Sequence, residues 1–201
     1  MSGDAARKPD PQFPNLDPDV VEGYRNAPSH QVAEVLDGEL HLMPRPRLRH
    51  ARGATRLSAR LAPFDDPAPG DPGGWVILIE PELHLGPNPD IIDPDIAGWR
   101  RERVPDDFFS DDDAFTTIAP DWVCEVLDPS TEVVDRTKKM RVYRREGVGR
   151  LWLLDPALRT LEVFRLGDAL YALVDTFEGD AVVRAEPFDA IELPLASLWA
   201  R

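Results

Sequence analysis

Two carboxylates and one ammonium stand between residues 95 and 139, each on a segment able to hold it in place. Asp95 lies in Asp-Pro-Asp-Ile-Ala, at the start of a short apolar stretch. Glu125 lies inside the run Trp122-Val123-Cys124-Glu125-Val126-Leu127, and Lys138 and Lys139 follow in the segment from Asp135 to Tyr143. A carboxylate among β-branched and aromatic neighbours is costly to bury unless a cation or hydrogen-bond donors meet it. Two such carboxylates and an ammonium can hold a divalent metal ion and polarise a phosphodiester. That is the chemistry these residue types point to.

Alternation along an extended strand puts Asp121, Val123, Glu125 and Leu127 on one side and Cys124 and Val126 on the other. Asp95 shares its side with Ala97 and Trp99. If the two strands are neighbours, Asp95 and Glu125 meet at one edge. Hard cations such as Mg²⁺ take carboxylate oxygen and keep several waters, so two protein ligands suffice. Each residue also has a plainer reading. Asp95 can be a strand-entry aspartate after Pro94, and Glu125 a buried acid paired with an arginine. Lys139 can be an exposed partner of Asp135 four residues earlier. Against this last reading, the chain holds twenty arginines and only three lysines, two of which are Lys138 and Lys139. A site that needs a compact ammonium rather than a guanidinium fork produces that bias. His30, His41, His50 and His84 lack metal-ligand spacing, and Cys124 reads as a small core residue.

The elements that must position these groups can be read from the pattern. Residues 1–30 are proline-rich and polar, and are expected to form a loosely structured N-terminal arm ahead of one domain over 31–201. Val32–Leu36 and Glu39–Met43 flank Asp37-Gly38 and predict a β-hairpin. Ala54, Leu57, Leu61 and Phe64 recur at helical spacing over 50–64. Trp75–Glu80 predicts a strand that continues through Glu82–Leu85 past Pro81. Asn88–Pro94 predicts a turn into a strand at Asp95–Trp99, and the acidic stretch 104–120 a loop. Trp122–Leu127 predicts a buried central strand, followed by a helix from the capping residues Asp128–Thr131 to Gly147. Leu151–Leu154, Thr160–Leu166, Tyr171–Thr176 and Ala181–Glu186 predict a β-rich end. The expected architecture is α/β, a mixed sheet flanked by helices in a single domain.

Charge is unevenly placed. The 201 residues carry a net charge of −14, which argues against coating nucleic acid by bulk electrostatics. Yet residues 45–60 hold six arginines and no acid, 99–103 hold three arginines, and 136–150 hold seven basic residues. These segments flank the candidate site, and phosphate contacts need only a local positive surface. No run approaches the ~18–20 apolar residues of a membrane helix, and the start of the chain lacks the apolar core of a signal peptide. The single cysteine excludes an internal disulfide. A cytoplasmic location is the expectation.

At these residues the sequence resembles the Uma-two family, a branch of the PD-(D/E)xK restriction-endonuclease-like superfamily. The carriers are Glu34 with Asp37-Gly38-Glu39-Leu40, His50, Pro94-Asp95, Pro120 to Leu127, Pro129-Ser130-Thr131, Asp135-Arg136, Lys139, Tyr143, Gly147-Val148 and Leu151 to Pro156. The resemblance implies a restriction-endonuclease-like core and a Mg²⁺-dependent phosphodiesterase site, with Asp95 and Glu125 as metal ligands and Mn²⁺ as a substitute. The superfamily's usual lysine lies two residues after the second acid, where this chain has Leu127. Lys139, on the next helix, matches a family pattern that supplies the ammonium from there. Position 128, commonly serine in the family, is Asp128. DNA is the expected partner, cut most simply by a homodimer. The alternative is a binding or regulatory protein that keeps the nuclease fold without cutting.

Overall fold

Turn chemistry and hydrophobic period decide most of the elements. The computed structural model describes residue 10, residues 12–110 and residues 114–200. The acidic run Asp111-Asp112-Asp113 lies outside the described residues. Asp17 caps α1 (Pro18–Arg25) by accepting the Asp19 N–H, and Pro18 suits the first helical position. Helical structure was not expected here. Val21 packs with Phe13, Leu16, Val35 and Ile91, a cluster that short-range periodicity does not reveal.

β1 (Gln31–Leu36) and β2 (Glu39–Pro44) form the expected hairpin. Asp37 and Gly38 both take positive φ, 52° and 77°, as a two-residue turn between twisted strands requires. α2 (Leu48–Asp65) buries His50, Ala54, Leu57, Leu61 and Phe64 along one stripe. β3 (Trp75–Ile79) and β4 (Glu82–Leu85) do not form one continued strand. They belong to different sheets, because Glu80 at φ 49° and Pro81 turn the chain from one to the other. The predicted turn before Asp95 contains β5 (Asp90–Ile92), and the acidic stretch ends in β7 (Phe115–Thr116). β6 (Ile96–Arg100) and β8 (Trp122–Val126) are as expected within a residue or two.

α3 (Glu132–Val134), a π-helical turn (Asp135–Lys139) and α4 (Met140–Arg145) run on without a break to Gly147 at φ 79°. Then come β9 (Arg150–Asp155), β10 (Thr160–Leu166), β11 (Tyr171–Glu178), the short pair β12 (Val182–Val183) and β13 (Leu193–Pro194), and α5 (Ala196–Trp199).

The single sheet expected from the pattern is in fact two principal sheets and a two-stranded ribbon. One has the order β2-β1-β5-β4-β7 and the other β11-β10-β9-β8-β6-β3, with β12-β13 apart. β8 lies in the interior of the larger sheet, parallel to β9 and antiparallel to β6. On one face of that sheet Trp122, Cys124 and Val126 pack against α2 and the C-terminal segment. On the other face Val123 and Leu151 pack against Leu83, Leu85 and Ile92 of the smaller sheet and Tyr143 of α4. Side chains on that second face are enclosed between the two sheets. Among the described residues, no helix is long and apolar enough to cross a membrane.

Candidate functional site

β6 and β8 bring the two predicted carboxylates together. Ile96 faces Cys124, Ala97 faces Val123 and Gly98 faces Trp122. One further step of that register sets Asp95 opposite Glu125. The Asp95 carboxylate then caps the strand end: its Oδ2 accepts the Val126 N–H at 2.6 Å. His50, from the first turn of α2, places Nε2 3.0 Å from Asp95 Oδ1 and 3.1 Å from Oδ2. Both Asp95 oxygens are therefore oriented. Cys124 points away into the α2-facing core, as alternation requires.

The π turn positions the ammonium. Asp135 and Lys139 are both buried there, whereas Lys138 turns outward to Glu39 Oε2 at 2.5 Å and His41 Nε2 at 3.1 Å. Single π turns inside helices often mark sites where the ladder yields to side-chain placement. Lys139 Nζ lies 3.0 Å from Glu34 Oε1, 3.4 Å from Glu125 Oε2 and 3.5 Å from Asp135 Oδ1. The Tyr143 hydroxyl, one turn on, donates to Glu125 Oε1. Glu125 is thus gripped from both oxygens by one helix.

These groups share a cavity of about 90 Å³ whose lining includes Glu34, His50, Asp93, Asp95, Glu125 and Lys139. Its electrostatics are strongly acidic. Burial pushes the Glu125 carboxyl well above the usual range; Lys139 opposes that, and Asp135, Asp95 and Glu34 reinforce it. Burial alone would lower the Lys139 ammonium, but Glu125, Glu34, Asp135 and Asp95 outweigh it and hold the charge firmly. Asp93 is pushed up to about 7 by burial and by the neighbouring Glu34 and Glu82. Burial disfavours charge on His50, yet its contact with Asp95 raises it.

A divalent cation fits this donor set. Four carboxylates, those of Glu125, Glu34, Asp135 and Asp95, surround the one buried ammonium of Lys139, and the pair Asp95 and Glu125 lies side by side at the strand ends. Oxygen ligands of this kind suit a hard cation. Among the described residues, no three His, Cys, Asp or Glu side chains converge as a ready-made metal centre. Two protein ligands completed by water or phosphate, the usual Mg²⁺ arrangement, remain the form that fits.

The predicted residues Asp95, Glu125 and Lys139 are thus brought into one cavity. Pattern reading missed Glu34, His50, Asp93 and Asp135 as members of its lining, and Tyr143 as the donor behind Glu125. The signal for Glu34 was present: an acid between Ala33 and Val35 in an apolar strand, the same anomaly that marked Glu125. His50 lay on the buried stripe of α2, four residues before Ala54. Asp128 also lines the cavity, but both its oxygens are engaged. Oδ1 accepts the Ser130 N–H at 3.0 Å and its hydroxyl at 2.6 Å, and Oδ2 lies 3.5 Å from Arg47 Nε.

The three basic segments do not line one cleft. Arg100, at the far end of β6, lies roughly 17 Å from Asp95 at the rise of an extended strand, and Arg101 and Arg103 follow it in a 3-10 turn. There Arg101 binds the Asp65 and Trp75 carbonyls, Arg100 stacks on Trp75, and Arg103 pairs with Asp121 at 2.5 Å. Arg136, Arg141 and Arg145 pair with Glu132, Glu162, Asp37 and Asp90. Apart from Lys139 itself, the basic residues that stay beside the site are those entering α2. Arg45 lines the cavity, and Arg47 and Arg49 edge an adjoining hollow.

The family described as "Uma2: Putative restriction endonuclease" matches residues 21–196. Among solved structures, the chain is similar to one described as a putative nuclease belonging to DUF820 from Anabaena variabilis ATCC 29413. The two share 21% identity with a TM-score of 0.70, over 90% of this chain and 96% of that one. Identity at that level speaks to fold, and the expected mixed α/β architecture is borne out by it. No curated protein matches the chain.

Proposed function

Because the chain belongs to the Uma2 family, we propose that it is a divalent-metal-dependent DNA endonuclease acting in the cytoplasm as a homodimer. Asp95 and Glu125 would hold the cation, Mg²⁺ with Mn²⁺ as a substitute. When bound, such a cation polarises a phosphodiester and makes water a nucleophile at neutral pH. The observation that carries this reading is the register of β6 against β8, which sets Asp95 opposite Glu125 with the Lys139 ammonium 3.4 Å away.

The chain's own residues divide the work. His50 and the Val126 N–H hold the Asp95 carboxylate in one orientation. The Tyr143 hydroxyl does the same for Glu125. Lys139 presents a charged donor to the negative charge that grows on a phosphoryl oxygen, a stabilisation strongest where water is excluded. Its burial meets that condition.

One observation favours the rival reading, a non-cutting protein with this fold: most basic side chains outside the α2 entry are paired with the chain's own acids. Incubation of plasmid DNA with the full chain and Mg²⁺ or Mn²⁺ separates the two. Cleavage that disappears in Asp95→Ala and in Lys139→Met supports the enzyme. Retained cleavage in both variants, or none in the wild type, gives first place to the rival. Sedimentation of the free protein tests the dimer.

A further inference from the structure

Glu34 makes the shortest of the three ion pairs to Lys139, 3.0 Å against 3.4 Å and 3.5 Å. It arrives from β1 in the smaller sheet and is fully buried. Its Oε1 also accepts the Asp93 N–H at 2.9 Å, which ties down the loop leading to Asp95. Its Oε2 has no hydrogen-bond partner among the described residues. The reaction proposed above makes no use of it.

Lys139 rests against Glu125, the carboxylate that a cation would need. An ammonium and a divalent cation on one carboxylate repel each other at close range, more strongly where water is excluded. For the cation to enter, the ammonium must lean on another acid that is within reach and is not itself a ligand. Asp135 is a weaker candidate, because its Oδ1 is farther away at 3.5 Å and its other oxygen, Oδ2, is held by the Thr131 hydroxyl at 3.2 Å. Glu34 is nearer and has an idle oxygen.

Resting on the metal-site reading above, we propose that Glu34 is a positioning residue that draws the Lys139 ammonium away from Glu125. Glu125 is thereby left open to a divalent cation, and Lys139 is kept beside the phosphate. Glu34 acts through Lys139 and does not touch the cation.

A double-mutant cycle on Mn²⁺ affinity tests this, using calorimetry on the full chain with Glu34→Gln, Lys139→Met and the pair combined. The glutamine keeps an acceptor for the Asp93 N–H and removes the charge. Glu34→Gln should weaken Mn²⁺ binding about tenfold, an ordinary coupling for touching residues. In the Lys139→Met background the same change should have little effect. An equal loss with and without the lysine overturns the proposal, because Glu34 would then act on the cation directly. Unchanged affinity in Glu34→Gln overturns it as well.

A second measurement does not depend on the Lys139 variant folding. The chain has three lysines, so ¹⁵N-lysine NMR resolves the buried ammonium. With Mg²⁺ added, the protected Lys139 signal should persist in the wild type and vanish in Glu34→Gln. Its persistence in the variant overturns the role. Failure of the metal site itself would be seen separately, as Mn²⁺ binding that survives in both Asp95→Ala and Glu125→Ala.

Discussion

Glu125 is stripped of water and set among like charges, where the Tyr143 hydroxyl and the Lys139 ammonium are the donors that meet its two oxygens. If the proposed function holds, removing that carboxylate, or Asp95, deletes an oxygen ligand of the cation without emptying the apolar core. Asp95→Ala and Glu125→Ala should each abolish Mn²⁺ binding by calorimetry while the circular dichroism spectrum is unchanged. Glu125→Gln should go further in the metal-free protein. It relieves buried negative charge while Lys139 keeps Glu34 and Asp135, so thermal stability should rise by about 1 kcal/mol, or roughly 2–4 °C. A fall in melting temperature would contradict this account of the cavity.

The same crowding sets a pH dependence. Asp93 titrates in the fold at about 7 against 3.8 ordinarily. The fold therefore holds a proton there that the unfolded chain has lost, and stability falls as pH climbs between those values. Below 3.8 the contribution is complete; above about 7 it is gone. His50 is also raised in the fold, and its share of stability is likewise lost as pH rises. The metal-free protein should melt at a higher temperature near about pH 5.5 than near about pH 7.5, and Asp93→Asn should flatten the slope. A profile rising over that interval would show that other groups control it.

At the scale of elements, two local departures from regularity build the site. The π turn swings Asp135 and Lys139 together onto the buried face, and Gly53 lets α2 lie close against the sheet. A Cβ at Gly53 would meet Pro156 Cγ at 3.2 Å and Val126 Cγ1 at 3.4 Å. That close approach fixes the height of α2 and hence the reach of His50 to Asp95. Gly53→Val overpacks this interface and should cost ~1–3 kcal/mol. Its expected signature in thermal melts is a lowered midpoint, accompanied by weaker Mn²⁺ binding as His50 is lifted away. Undiminished binding in a destabilised variant would show that His50 does not orient Asp95.

For the whole molecule, what matters is which charges remain free. Most arginines of α4 and of the far end of β6 are held by the chain's own acids or by Trp75, whereas Arg45 and Arg49, with Arg47 at 3.5 Å from Asp128, stand beside the cavity. Changing these three to alanine should weaken DNA binding at every sequence. It should also reduce the slope of log affinity against log salt by about 0.9 for each phosphate that is no longer neutralised. Arg145→Ala should behave differently, lowering the melting temperature because it removes the guanidinium that neutralises the buried Asp90 and leaves it only the Asp37 N–H, with the salt slope unchanged. Filter binding across a salt series distinguishes the two. A slope that drops for Arg145→Ala and not for the triple variant would place the nucleic-acid surface on α4.

The sequence by itself determined what local physics controls. Alternation in Trp122–Leu127 put Glu125 on one face and Cys124 on the other, and Asp37-Gly38 closed the first hairpin. The stripe from Ala54 to Phe64 laid down α2, and the scarcity of lysine drew attention to Lys139. Other features depend on interactions between residues far apart in the chain, which periodicity cannot see. That Pro81 moves the chain between two sheets follows from how β3 and β4 find different partners. Glu34 belongs to the site because β1 pairs in the smaller sheet and faces the larger one across the shared core. The arginine clusters separated for the same reason: charge runs in sequence say nothing of which acids will lie opposite them. Only the packing of the two sheets, driven by burial of their apolar faces, decided which charges were neutralised within the molecule and which were not.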